Sequence, residues 1–131
     1  MIERPTRRWQ REVATQEAAV AAGTMASGDT YAAQLWPAEF IAAVDAVLDA
    51  YEREVSTVNP AADEAVWAAV ERVVLELNSA DEEHGAIETG EREELAEYID
   101  AVLTAAGVDV ADLTSRRGLD RGELTDSWRD W

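Results

Sequence analysis

Cysteine and lysine are both absent from this chain of 131 residues. Without cysteine there is no disulfide scaffold, no thiolate zinc site and no thiol nucleophile. Without lysine every basic residue is an arginine, and no Gly-rich loop leads into a lysine of the kind that cradles nucleotide phosphates. Histidine and phenylalanine each occur once. Long apolar runs are missing too. Nothing approaches the roughly 18 consecutive apolar residues of a membrane span, and the first residues lack the apolar core of a secretion signal. The Ala-rich stretch at 18–22 is too short for one and follows Glu17. These absences predict a cytoplasmic protein with no membrane association.

What is present is negative charge. There are 28 Asp and Glu against 11 arginines, a formal net charge of -17. The arginines are unevenly placed: Arg4, Arg7, Arg8 and Arg11 stand in the first eleven residues against one acid, Glu3. A basic partner is attracted by such a body and a nucleic-acid backbone is mostly repelled, so nucleic acid is not the expected ligand. Abundant Ala, Arg, Asp, Glu and Val without Lys also suggests a high-GC bacterial genome of actinobacterial type, with a high-salt cytoplasm as the alternative that an acidic, Lys-poor surface would suit.

The length fits a single domain, 1–131, able to bury roughly two-thirds of its unfolded surface. The composition is 47% hydrophobic, with Ala supplying much of it, so the core must be thin and closely packed. Four helical segments are predicted. The first spans about 6–22, after Pro5 and with Trp9, Val13 and Val20 as its apolar positions. As the basic segment 1–23 it is a candidate mobile arm on an acidic body at 37–131. Residues 23–36 read as a loop. The second helix starts at Pro37, with Phe40, Ile41, Val44, Val47, Leu48, Tyr51 and Val55 at helical spacing. The third starts from Asn59 as N-cap and Pro60 at the first position, with Val66, Trp67, Val70, Val73, Val74 and Leu77 as its stripe. Residues 78–88 read as an acidic connection. The fourth is capped by Thr89, buries Leu95, Tyr98, Ile99, Val102, Leu103 and Ala106, and ends at Gly107. Asp109 with Asp112, Asp120 with Glu123, and Thr125 mark shorter turns beyond it. The fold class is therefore all-α: four main helices in a compact bundle with one or two short C-terminal helices.

Over residues 74–131 the chain resembles a family of small acidic bacterial proteins of unknown function. The resemblance rests on Leu75, Glu76, Leu77 and Asn78, on the run from Ile87 through Glu88, Thr89, Gly90 and Glu91 to Leu95, and on the ending Thr125, Asp126, Ser127, Trp128, Arg129, Asp130 and Trp131. It covers less than half of the chain. It implies a recurring helical domain and carries no activity or site residues with it.

Few residues point to chemistry. Asp81, His84 and Glu88 would share one face if their segment were helical, and are weak candidates for a metal site. A di-iron carboxylate bundle needs a second histidine, which the sequence lacks, and Gly85 argues for a solvated turn. Carboxylates are so common that no pair of them is diagnostic. Glu71, Glu76 and Asp100 lie nearest the stripe edges. No serine lies in a Gly-x-Ser-x-Gly setting, so no catalytic residue and no cofactor are predicted. Trp36, Trp128, Arg129 and Trp131 are the candidate partner-binding residues, since Trp and Arg are enriched at interface hot spots. Closing the core is the alternative role for the tryptophans.

The expected function is thus a non-catalytic protein-interaction or accessory domain, its partner being a basic protein or a second copy of itself. An inhibitor of immunity or antitoxin kind, or a nucleic-acid mimic that binds a basic protein, is the sharper alternative. A carboxylate–histidine metal protein or small enzyme is the second alternative.

Overall fold

Alanine, glutamate and arginine favour helix, and the computed structural model, which describes residues 2–131, has no strand among the described residues. In chain order the helices are α1 (Pro5–Ala21), α2 (Ala32–Leu35), α3 (Ala38–Thr57), α4 (Asp63–His84), α5 (Thr89–Ala105) and α6 (Val110–Ser115). Single 3-10 turns lie at Ser27–Asp29 and Arg121–Glu123. The fold is all-α, with α1, α3, α4 and α5 as the four long helices. Helix α3 is central: it packs most extensively on α4 and also meets α1 and α5.

The apolar stripes explain that centre. Phe40, Ile41, Val44, Leu48, Tyr51 and Val55 of α3 are buried, facing the buried Val66, Trp67, Val70, Val73, Val74 and Leu77 of α4. Each such side chain removed from water contributes about 1.5–3 kcal/mol. This packing carries polar atoms inward as well: the Trp67 indole N–H is buried without a hydrogen-bond partner, whereas the Tyr51 hydroxyl is provided for. The Tyr51 hydroxyl donates to the Ile99 carbonyl at 2.8 Å, and burial, reinforced by the nearby Asp100 charge, pushes its pKa well up. Helix α5 ends as its Gly107 predicts. Gly107 takes φ +93, its N–H donates to Thr104 O, and Val108 N–H donates to Leu103 O at 3.0 Å. Val108 and Leu103 are both buried, which is the apolar contact that accompanies this left-handed cap.

Several boundaries differ from expectation. The N-terminal segment is no arm: α1 begins at Pro5 and Trp9 and Thr6 are fully buried against the body. The stretch 23–36 is more than a loop, because it includes α2 and buries Ala32 and Trp36. Asn59 does not cap α4. Its side-chain oxygen instead accepts from Ala61 N–H at 3.0 Å in a local turn, and the helix starts at Asp63. Asn and Asp compete with helix in this way because their short side chains reach nearby backbone. The fourth long helix, α5, is capped at Glu88 rather than Thr89, with Glu91 Oε1 accepting from the Glu88 N–H at 3.0 Å.

The largest difference is at 78–88. Its first seven residues continue α4 to His84, and Gly85 closes the helix at φ +63. Two side chains pull those extra turns inward. Ala80 is buried, and the His84 ring packs edge-on against Phe40 with centroids 5.8 Å apart. His84 thereby ends an aromatic column. Trp9 stacks on Trp36 at 5.9 Å and 9°, and on Phe40 at 5.5 Å and 19°. This column ties α1, the α2–α3 junction and the end of α4 together.

Trp9→Ala should therefore lower the unfolding free energy by about 3–5 kcal/mol. Leu75→Ala, at a half-exposed position on α4, should change it by less than about 0.5 kcal/mol. Urea denaturation followed by circular dichroism reads both.

Candidate functional site

The four partner-binding candidates are all engaged within the chain. Trp36 and Trp131 are only 4% and 6% exposed, so neither presents a face to a partner. The Trp131 indole N–H donates to the Val74 carbonyl at 3.4 Å. Trp128 is half-buried, edge-on to Trp67 at 5.9 Å. Arg129 pairs with Asp126 at 3.2 Å and lies 5.3 Å over the Trp131 ring. Asn78 fastens this C-terminal segment to α4: its amide donates to Trp128 O at 2.7 Å and its oxygen accepts from Asp130 N–H at 2.9 Å. Core closure, the alternative role named for these tryptophans, is the one their burial matches.

Asp81, His84 and Glu88 do not converge on a common point. Asp81 Oδ1 accepts from Ile87 N–H at 3.0 Å, His84 is turned onto Phe40, and Glu88 is the N-cap of α5. Among the described residues no three His, Asp or Glu side chains are grouped to hold a metal ion. All three candidates are used in shaping the α4–α5 corner.

The organising feature of the surface is how the arginines are spent. Among the described residues seven of the eleven form ion pairs, and five of these bridge separate elements. Arg4, just ahead of α1, reaches three acids of α3: Asp49 at 2.8 Å, Glu52 at 2.7 Å and Asp45 at 3.5 Å. Arg8 of α1 holds Glu94 of α5 through two bonds of 2.8 and 2.6 Å, and Glu94 also accepts from the Trp9 indole at 3.3 Å. Arg72 of α4 pairs with Glu54 of α3. Arg116 forks onto Asp63 at the start of α4 with bonds of 2.6 and 2.9 Å. Arg121 forks onto Asp100 of α5 at 2.8 and 2.7 Å. Arg117 lies over the Trp67 ring at 4.3 Å.

These pairings occupy ten of the 28 acids. Of the other 18, seven fall within the 17 residues at the corner where α4 gives way to α5, where the eighth acid, Glu94, is the partner of Arg8. Residues 81–97 carry eight acids and one arginine, Arg92. Glu82, Glu83, Glu88, Glu93 and Glu97 of that stretch are exposed. The sequence displays the acidic run openly. The assignment of each arginine to its carboxylate is what it does not show, because those partners lie up to 86 residues apart.

An opening of about 770 Å³ runs along α5. Ile2, Ala101, Ala105 and Leu124 line it, and the Arg121–Asp100 pair stands beside them. Those two charges satisfy each other, and Glu97, Thr104 and Thr125 add a carboxylate and two hydroxyls to the lining. No helix among the described residues is long and apolar enough to cross a membrane. Compared with protein-family models, with characterised proteins and with solved structures, the chain has no significant match.

The ion pairs set the acid response. Hydrogen bonding from Arg4 lowers the Asp49 pKa, and that from Arg116 lowers the Asp63 pKa, each below the usual 3.8. Partial burial disfavours the Arg4 charge, but the bonds to Asp49 and Glu52 and the Glu52 charge outweigh it and raise its pKa. A carboxylate with a depressed folded-state pKa adds stability above its unfolded value and loses it as pH falls through the folded value. The stability difference between the native chain and Arg4→Gln should therefore be full well above pH 3.8 and shrink below it. Urea titrations of both chains at a series of pH values check this. A difference that grows on acidification contradicts it.

Proposed function

We propose that this protein is a non-catalytic interaction domain that receives a basic protein partner on the acidic corner formed by the end of α4 and the start of α5. One observation carries the reading. Five arginines are drawn into cross-helix pairs, while Glu82, Glu83, Glu88, Glu93 and Glu97 are left exposed on one short stretch whose one arginine is Arg92. The surface field is thereby left uncompensated where two rigid helices meet.

Such a corner attracts cations at long range and speeds encounter with a basic surface. It repels nucleic acid and other copies of this chain. Arginine-rich partners gain most, since guanidinium groups fork onto carboxylates. The backbone of the corner is already ordered: Asp81 and Glu91 hold it by backbone hydrogen bonds, and of the exposed acids Glu88 is itself fixed as the N-cap of α5. A fixed frame loses less entropy when a partner arrives.

A polyarginine peptide titrated at low ionic strength tests the site against net charge alone. The triple variant Glu82→Gln, Glu83→Gln, Glu93→Gln and a control triple, Glu17→Gln, Glu39→Gln, Glu64→Gln, carry the same net charge, and all six positions are exposed. The corner triple should weaken binding about tenfold relative to the control, as expected for three pairs of up to about 1 kcal/mol each. Both affinities should fall as salt rises. Equal loss in the two triples would show that the whole body, and not the corner, attracts the peptide.

A further inference from the structure

The seat that holds α1 is built entirely from the rest of the chain. Its floor is aromatic, Trp36 and Phe40 stacked on Trp9. Its rim is acidic, with Asp45, Asp49 and Glu52 taking Arg4 and Glu94 taking Arg8. At the far end Gln16 Oε1 accepts from the N–H groups of Tyr31 and Ala32, both at 3.0 Å. The seat thus reads a helix with arginines four residues apart, an indole beside the second, and a carbonyl-bearing side chain two turns further on. The segment of this chain with that chemistry is α1 itself.

We propose that α1 exchanges between two copies of this chain, each placing its α1 in the other's seat to form a reciprocal dimer. Only the stretch 22–31 connects α1 to the body. Those ten residues span about 33 Å when extended, and all but Met25 and Thr30 are exposed. Every contact in the seat is available to the same helix from a neighbour. Exchange therefore costs only the local hydrogen bonds that extension of the connecting stretch opens, such as Thr24 N–H to Ala19 O and Asp29 N–H to Ala26 O, and it satisfies two-fold symmetry.

The closed arrangement is also imperfectly filled. A groove of about 390 Å³ opens beside the second half of α1, lined by Val13, Ala14, Ile41 and Ala42 among others. The Trp36 indole N–H is buried there without a hydrogen-bond partner. Both features lower the cost of α1 leaving its seat. Two bodies of charge -17 repel, so screening favours the exchanged dimer. That is opposite to the salt dependence of a basic partner at the α4–α5 corner, and the two readings stand or fall separately.

The absence of native cysteine makes the test direct. The Thr6 hydroxyl donates to Asp45 across the seat. Chains carrying Thr6→Cys and chains carrying Asp45→Cys are mixed at high concentration and high salt, then oxidised. The expected product is a covalent heterodimer of two 14.3 kDa chains. Its yield should exceed by roughly tenfold or more that from mixing Thr6→Cys with Leu75→Cys, because seated thiols meet at high effective concentration. The doubly substituted chain, oxidised when dilute, should close on itself and report that the seat is intact. The unsubstituted chain, refolded from acid at high concentration and salt, should show a dimer fraction by light scattering. Closure of the double variant without heterodimer above the Leu75→Cys background overturns the proposal. So does a strictly monomeric refolded native chain.

Discussion

The constraint on which this structure depends is self-repulsion. A body with 28 acids and 11 arginines resists being made compact, and the hydrophobic contribution of its stripes must be gained against that resistance. The arginines are placed where they relieve it most. Arg4, Arg8, Arg72, Arg116 and Arg121 each join two elements, so each draws together acids that would otherwise push helices apart. Arginine suits the task better than lysine. Its planar fork makes two bonds to one carboxylate, as at Glu94, Asp63 and Asp100, and it stays charged throughout. Its flat face also stacks on indole, as Arg117 does over Trp67.

Helix α1 is where charge and packing act together. Its arginines hold the rim of the seat while Trp9 fills the floor, and the resulting column runs through Phe40 to His84. The column accounts for the length of α4. A chain end rich in acids and followed by glycine has little reason to remain helical on its own, but Ala80 and His84 are anchored inward. The same anchoring fixes the direction in which Glu82 and Glu83 project.

Legibility in the sequence followed the range of the interaction. The stripes of α3, α4 and α5 were readable, because helical periodicity is set by residues three and four apart, and the Gly107 cap was readable because its geometry is local. Asn59 misled because an Asx turn and an N-cap draw on the same residue type. The end of α4 was hidden because Phe40, the residue that stabilises it, lies 44 positions away in sequence. The tryptophans posed the same problem. Whether an indole at 36 or 131 is a hot spot or a core plug depends on what covers it, and only the fold supplies Trp9 and Val74. The acidic corner was visible as composition. Its standing as a surface rests on the distant pairings that use up the arginines elsewhere.

A scaffold made this way has two kinds of carboxylate: those braced by arginine across helices, and those left unbraced, which are densest at the α4–α5 corner. Amide chemical-shift mapping with the polyarginine peptide at low ionic strength tests that separation most directly. The account predicts that shifts concentrate over residues 81–97, with Asp45, Asp49, Asp63 and Asp100 little moved while their arginines hold them. Shifts spread evenly over every acidic face, or largest at the braced carboxylates, would contradict it.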